Sequence, residues 1–183
     1  MQRSLRGAKV GSVTDRPRLI VMRHAKAEPF ASTDHARRLT DRGIATAADV
    51  GAFLRDRDLL PDHALVSPAV RTRETWDAVA EAAGPAACEV SYDDVLYTGS
   101  PDRVLEALQS VPAGARTVMY VGHNPTAAVL AHLFDDGEGD PEAVSGLLQG
   151  FPPAAAAVLE LGVPWSDLAA ETGRVVAFYV GRS

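Results

Sequence analysis

The stretch Arg18-Leu19-Ile20-Val21-Met22-Arg23-His24-Ala25 decides how the chain is read. Four apolar residues, Leu19 to Met22, run unbroken into an arginine and a histidine. Such a run suits a strand buried on both faces, as in a parallel sheet. Its C-terminal end delivers two polar side chains to a crevice. Two other strand signals end the same way. Thr117-Val118-Met119-Tyr120-Val121 is the clearest β run and stops at Gly122-His123-Asn124-Pro125. Ala64-Leu65-Val66 is followed at once by Ser67-Pro68, where serine as N-cap and proline at the first helical position announce a helix. That helix is expected to run through Arg71, Thr75, Val79 and Ala83 until Gly84-Pro85 stops it.

The remaining segments fill in an alternation of strands and helices. Thr40 is expected to cap a helix whose apolar face carries Ile44, Ala47, Ala48, Gly51 and Leu54. Cys88-Glu89-Val90 reads as a short strand, 92–100 as a loop, and Pro101 as the start of a helix bearing Val104, Leu105 and Leu108. Asn124-Pro125 is expected to cap a helix with Ala128, Val129, Ala131, His132 and Leu133. In Ala154 to Leu161 the alanines favour helix, but the flanking Pro152-Pro153 and Gly162-Val163-Pro164 favour a strand. Arg174 to Val180 is a final strand, and the last two strands, with no helix between them, can pair antiparallel. The fold class is therefore α/β, a largely parallel sheet covered on both faces. We expect a flexible basic tail over 1–17, carrying Arg3, Arg6, Lys9 and Arg16 against Asp15, then one domain over 18–183. A basic arm for an acidic partner is the alternative reading of the tail.

Composition sets bounds on function. The chain has 183 residues, 46% of them hydrophobic and 23% charged, with a formal net charge of -6. That balance argues against a nucleic-acid binder. The single cysteine, Cys88, excludes an internal disulfide and suits a reducing, cytoplasmic setting. No apolar run approaches the roughly 20 residues of a membrane span. The acidic turn 135–142 lacks the glycine and distal glutamate of an EF-hand loop, and His35, His63 and His132 have no metal-ligand spacing with each other. Trp76 and Trp165 read as packing residues.

Arg23, His24, Arg71 and His123 thus gather where α/β sheets bind ligands, at the C-terminal edge of the strands. Two arginines and two histidines beside helix N-termini make a cationic pocket for a tetrahedral oxyanion. A neutral imidazole is a competent nucleophile toward phosphorus. The two guanidinium groups should lower the pKa of His24 and keep it neutral. Arg73, two residues from Arg71, faces elsewhere on the helix and reads as a surface charge.

With these residues in place, the chain resembles the histidine phosphatase, or phosphoglycerate-mutase-like, superfamily. Arg23-His24-Ala25 stands where that family has Arg-His-Gly. Leu39-Thr40-Asp41-Arg42-Gly43 matches its Leu-Thr-x-x-Gly, Ser67 to Thr75 its Ser-Pro-x-x-Arg-x-x-x-Thr, and Gly122 to Pro125 its Gly-His-Asn-Pro. The resemblance implies a three-layer α/β/α sandwich with a mixed sheet of about six strands, one of them antiparallel. It implies that His24 becomes phosphorylated and is then hydrolysed, with Arg23, Arg71 and His123 holding phosphate. No metal or organic cofactor is expected. The chain lacks the insertions that supply a general acid in larger members. Asp93 and Asp94 stand in the right region and are open to either reading, with Asp94 the candidate acid. The polar loop 27–38, with Asp34, His35, Arg37 and Arg38, either covers a substrate or is simply solvated. A shallow site without a strong acid suits a phosphohistidine in a protein, as in the small bacterial phosphohistidine phosphatases. The alternatives are a low-specificity phosphatase for a small phosphate ester and a phosphate-binding module without catalysis.

Overall fold

The computed structural model describes residues 16–84 and 87–183. The tail expected over 1–17 therefore lies outside the described residues except for Arg16 and Pro17. Six strands form one sheet in the order β3-β2-β4-β1-β5-β6. They are β1 Arg18–Arg23, β2 His63–Val66, β3 Glu89–Tyr92, β4 Thr117–Gly122, β5 Ala155–Leu161 and β6 Gly173–Val180. The helices are α1 Asp41–Asp56, α2 Val70–Ala83, α3 Val95–Thr98, α4 Pro101–Gln109, α5 Thr126–Phe134 and α6 Pro141–Leu148.

The unbroken apolar run of β1 has the expected cause. Leu19 and Val21 pack into one core with Leu108, Leu130 and Phe134, from α4 and α5. Ile20 and Met22 pack into a second core with Val50, Leu54, Trp76 and Val79, from α1 and α2. Successive strand residues point to opposite faces, so a strand covered twice has no polar position to spare. β1, β2, β3 and β4 run parallel, while β5 lies antiparallel to both β1 and β6. β5 is thus the one reversed strand. Ala155, Ala156 and Ala157 are fully buried there; small side chains let both covering layers approach, which overrides the helical preference of alanine.

The structure differs from the sequence reading at several element ends. Helix α2 starts at Val70, with Ala69 at its N-cap, rather than at Pro68. Ser67 does not cap it, because its hydroxyl is engaged elsewhere. Asn124 likewise does not cap α5: its amide donates to the Phe151 carbonyl at 2.9 Å. The short α3 interrupts the expected loop 92–100, and α6 was not anticipated. The acidic turn has structural duties instead, with Asp140 accepting from Ala143 N–H to cap α6 and Asp136 3.4 Å from Arg174.

Thr40 caps α1 as expected, accepting from Gly43 N–H at 3.0 Å. It also donates to the Lys26 carbonyl at 3.2 Å, just past the β1 tip. Gly43 packs on that same carbonyl; a Cβ there would stand 2.1 Å from the oxygen. Gly43→Ala should therefore force the helix off the strand tip and cost about 1–3 kcal/mol of stability. Urea denaturation checks this, with Gly114→Ala as a neutral control because that site is open.

The topology also locates a crevice. From β1 the chain crosses to β2 and β3 on one side, then returns to lay β4 between β2 and β1. The winding reverses between β1 and β4, and open α/β sheets bind ligands at the carboxyl ends of strands at such a point. Arg23 pairs with Gly122 across this gap.

Candidate active site

At the β1 tip the His24 backbone N–H donates to the Gly122 carbonyl at 2.9 Å, fixing the two strand ends together. The His24 Nδ1 lies 2.7 Å from the Ala25 carbonyl oxygen. A carbonyl only accepts, so Nδ1 carries the proton and Nε2 keeps its lone pair. Ala25, fully buried, serves where the family has glycine. Its N–H donates to the Thr75 hydroxyl at 3.1 Å, and that hydroxyl donates to the Arg71 carbonyl at 2.6 Å. One side chain thus ties the β1 tip to the first turns of α2, which explains the threonine four residues after the arginine.

Arg71 is buried, with 6% of its side chain exposed. Its Nη2 donates to His123 Nδ1 at 3.2 Å and to Asp34 Oδ2 at 3.0 Å, and its Nη1 donates to the Asp34 carbonyl at 2.7 Å. An arginine cannot accept, so His123 Nδ1 is unprotonated and Nε2–H donates to Ser67 Oγ, 2.7 Å away. Gly122 is required beside it, since a Cβ there would meet the Tyr120 phenol oxygen at 1.9 Å. The His24 and His123 rings lie 5.3 Å apart. Arg23 donates from Nη1 to the Phe151 carbonyl at 3.0 Å.

Electrostatics keep both imidazoles neutral. His24 is lowered to about 4, first by burial, then by the charges of Arg71, Arg23 and Arg37; its bond to the Ala25 carbonyl acts in the opposite sense. The sequence reading had the direction right and credited the arginines; burial is the larger cause. His123 is lowered to about 3 by burial, then by Arg71 and His24.

The four residues singled out in the sequence, Arg23, His24, Arg71 and His123, come together. Asp94 does not join them. It stands exposed at the N-cap of α3, and its backbone carbonyl accepts from Tyr97 N–H at 3.0 Å. Asp93 accepts from Val95 N–H at 2.9 Å. The loop 27–40 is more than solvated polar chain. The Glu74 carboxylate accepts from Leu39 N–H and from Arg38, both at 2.7 Å, and Val70 N–H donates to the His35 carbonyl at 3.0 Å. This docking carries Asp34 and Arg37 to the pocket, with Tyr97 arriving from α3. Tyr97 donates to Asp34 Oδ2 at 2.9 Å, and its ring stands 5.4 Å from that of His123. Arg37 Nε is 3.1 Å from Asp34 Oδ1, an ion pair without hydrogen-bond alignment. These residues and Ser67 were missed as site residues. For Asp34 and Arg37 the only sequence signal was the density of charge in the loop, which a solvated loop shares; Ser67 was read as a helix cap and motif residue, and Tyr97 as part of a loop.

Comparison with known proteins identifies the family and agrees with the fold. The family model of the histidine phosphatase superfamily, branch 1, matches residues 19–97. The uncharacterized protein Rv1276c of Mycobacterium tuberculosis is 35% identical over 163 residues, spanning 88% of this chain and 100% of its own. The chain belongs to the histidine phosphatase superfamily. A candidate SixA phosphohistidine phosphatase from Nakamurella multipartitia superposes with a TM-score of 0.79 at 33% identity, over 91% of this chain and 97% of its own. A second, from Agrobacterium tumefaciens, gives a TM-score of 0.73 at 29% identity over 90% and 97%. As a member of this superfamily the protein is a phosphatase, and hence a hydrolase. No helix among the described residues is long and apolar enough to cross a membrane.

Proposed function

We propose that the protein hydrolyses phosphohistidine in other proteins through a phosphoryl group carried transiently on His24. The observation that carries the reading is a set of three guanidinium Nε–H groups. Those of Arg23, Arg37 and Arg71 are buried without a hydrogen-bond acceptor among the described residues, around the two neutral imidazoles. Buried donors rarely stay unpaired, and a phosphoryl group offers three oxygens to such donors at once. His24 Nε2 attacks phosphorus in line with the departing group. The arginines stabilise charge on the equatorial oxygens as the bond transfers. Water then attacks the phosphohistidine and releases inorganic phosphate.

Two observations support phosphohistidine as the substrate. The two solved structures reported above are described as candidate SixA phosphohistidine phosphatases and are matched nearly end to end. The carboxylate bound to Arg71, Asp34, is held below the usual range, chiefly by the Tyr97 hydrogen bond and then by Arg71. A protonated acid is therefore not held ready in advance, and the phosphoramidate bond of phosphohistidine needs the least help from one. Release of phosphate from a phosphohistidine peptide and from phenyl phosphate tests the reading. A higher kcat/KM on the peptide is expected, and preference for phenyl phosphate overturns it.

The pH profile should carry the same signature. His24 attacks only when neutral, and its pKa is lowered to about 4. After allowance for ionisation of the substrate, kcat/KM on 2,4-dinitrophenyl phosphate, whose leaving group needs no proton, should hold level from pH 8 down to about pH 5, below the ordinary imidazole value of about 6.5. Loss of activity centred near 6.5 contradicts the neutral, buried nucleophile.

A further inference from the structure

We infer that Asp34 is the residue that protonates the leaving group, and that the substrate's own charge arms it. This rests on the proposed phosphoryl transfer to His24. The Asp34 carboxylate is held between two arginines: Oδ2 accepts from Arg71 at 3.0 Å and Oδ1 lies 3.1 Å from Arg37. It is an internal anion resting on the same guanidinium groups that a phosphoryl group would claim. Its side chain is 59% exposed where that of Arg71 is 6% exposed, so it stands on the mouth side of the arginine. A group displaced in line from phosphorus by His24 leaves toward that mouth.

The charged and titratable groups around Asp34 come from four elements: Arg37 and His35 from its own loop, Arg71 from α2, His123 from the turn after β4, and Tyr97 from α3, whose phenol donates to Oδ2 at 2.9 Å. Tyr97, Arg71 and Arg37 favour the carboxylate. An arriving phosphoryl dianion reverses the balance. It takes up the hydrogen-bonding capacity of Arg71 and Arg37 and places like charge against the carboxylate, which drives Asp34 to bind a proton from solvent. The acid thus forms only with substrate in place.

The step balances. The His24 Nε2–P bond forms as the bond from phosphorus to the leaving atom breaks, nitrogen in phosphohistidine and oxygen in an ester, and its electron pair stays on that atom. The Asp34 proton passes to the same atom, leaving a neutral imidazole or alcohol and the Asp34 carboxylate. In the second step the carboxylate takes a proton from the attacking water as the P–O bond forms and the Nε2–P bond breaks. Asp34 then returns to Arg71, Arg37 and Tyr97.

A leaving-group series tests the assignment. Wild type, Asp34→Asn and Asp34→Glu are assayed on 2,4-dinitrophenyl, p-nitrophenyl and phenyl phosphate, with His24→Ala run beside them. Asp34→Asn should lose about 100-fold or more in kcat/KM on phenyl phosphate, whose departing oxygen needs the proton, and only a few-fold on the dinitrophenyl ester. Asp34→Glu should recover part of the loss on phenyl phosphate. A uniform loss across the series, or no loss, overturns the assignment, since a residue that merely positions Arg71 affects all three esters alike. Turnover retained by His24→Ala would instead defeat the underlying reaction, whatever Asp34 does.

Discussion

His24→Ala is expected to lose about 10⁴-fold or more in kcat/KM on every phosphorylated substrate, with the fold retained. Nε2 of His24 is the nucleophilic atom whose lone pair is committed to nothing else, because Nδ1 is fixed by the Ala25 carbonyl. The neighbouring candidates are occupied. Ser67 Oγ accepts from His123, and the Thr75 hydroxyl is bound on both sides. The folding contacts at this position belong to the backbone: the N–H to Gly122 and the carbonyl to Ala154 N–H. Those survive the substitution, so circular dichroism and the urea midpoint should change little while turnover disappears. The arginines remain, so the variant should still bind inorganic phosphate, which separates loss of chemistry from loss of the pocket.

Arg71→Ala should be the next most damaging change, at about 10³-fold in kcat/KM, the scale of an arginine that stabilises a transferring phosphoryl group. The loss has two sources. The planar fork itself is gone, and the residues it organises are released: His123 loses the donor on Nδ1, and Asp34 loses two of its anchors. Arg71→Lys should recover little, because one ammonium cannot serve His123, Asp34 and a phosphoryl oxygen in fixed directions. Arg73→Ala makes the contrast. That side chain is exposed and lies over the Tyr92 ring at 4.8 Å, so its removal should leave kcat/KM within about twofold of wild type. Activity surviving Arg71→Ala but not Arg73→Ala would move the pocket to another part of α2.

The contrast between these two arginines also shows what the sequence carries. The strand tips were legible because burial on two faces demands an unbroken apolar run, and in Leu19 to Met22 and Thr117 to Val121 that run ends abruptly at polar residues. Arg23, His24 and His123 follow from that interruption, and Arg71 follows from the helix that must begin after Val66. Helix starts were less legible. Ser67 has the chemistry of an N-cap, yet its hydroxyl serves His123, and the helix begins three residues later. A local signal yields where a tertiary partner makes better use of the same atom. Asp34, Arg37 and Tyr97 were not legible as site residues. Asp34 and Arg37 are placed by the docking of loop 27–40 through Glu74 and Val70, contacts between residues about 35 apart that have no periodic trace, and Tyr97 by the short α3. The acid candidate was sought at Asp94 for the same reason. Position along the chain suggested it, whereas the fold brings Asp34 to Arg71 and leaves Asp94 at the start of α3.

The central claim is that the phosphoryl group passes through His24. Wild-type protein, mixed with excess phosphohistidine peptide and quenched in alkali during turnover, is digested and read by mass spectrometry. The expected result is an alkali-stable, acid-labile phosphoryl group on the peptide containing His24 and none on the peptide containing His123. Sustained release of phosphate with His24 unmodified, or with the phosphoryl group on another residue, would contradict the account.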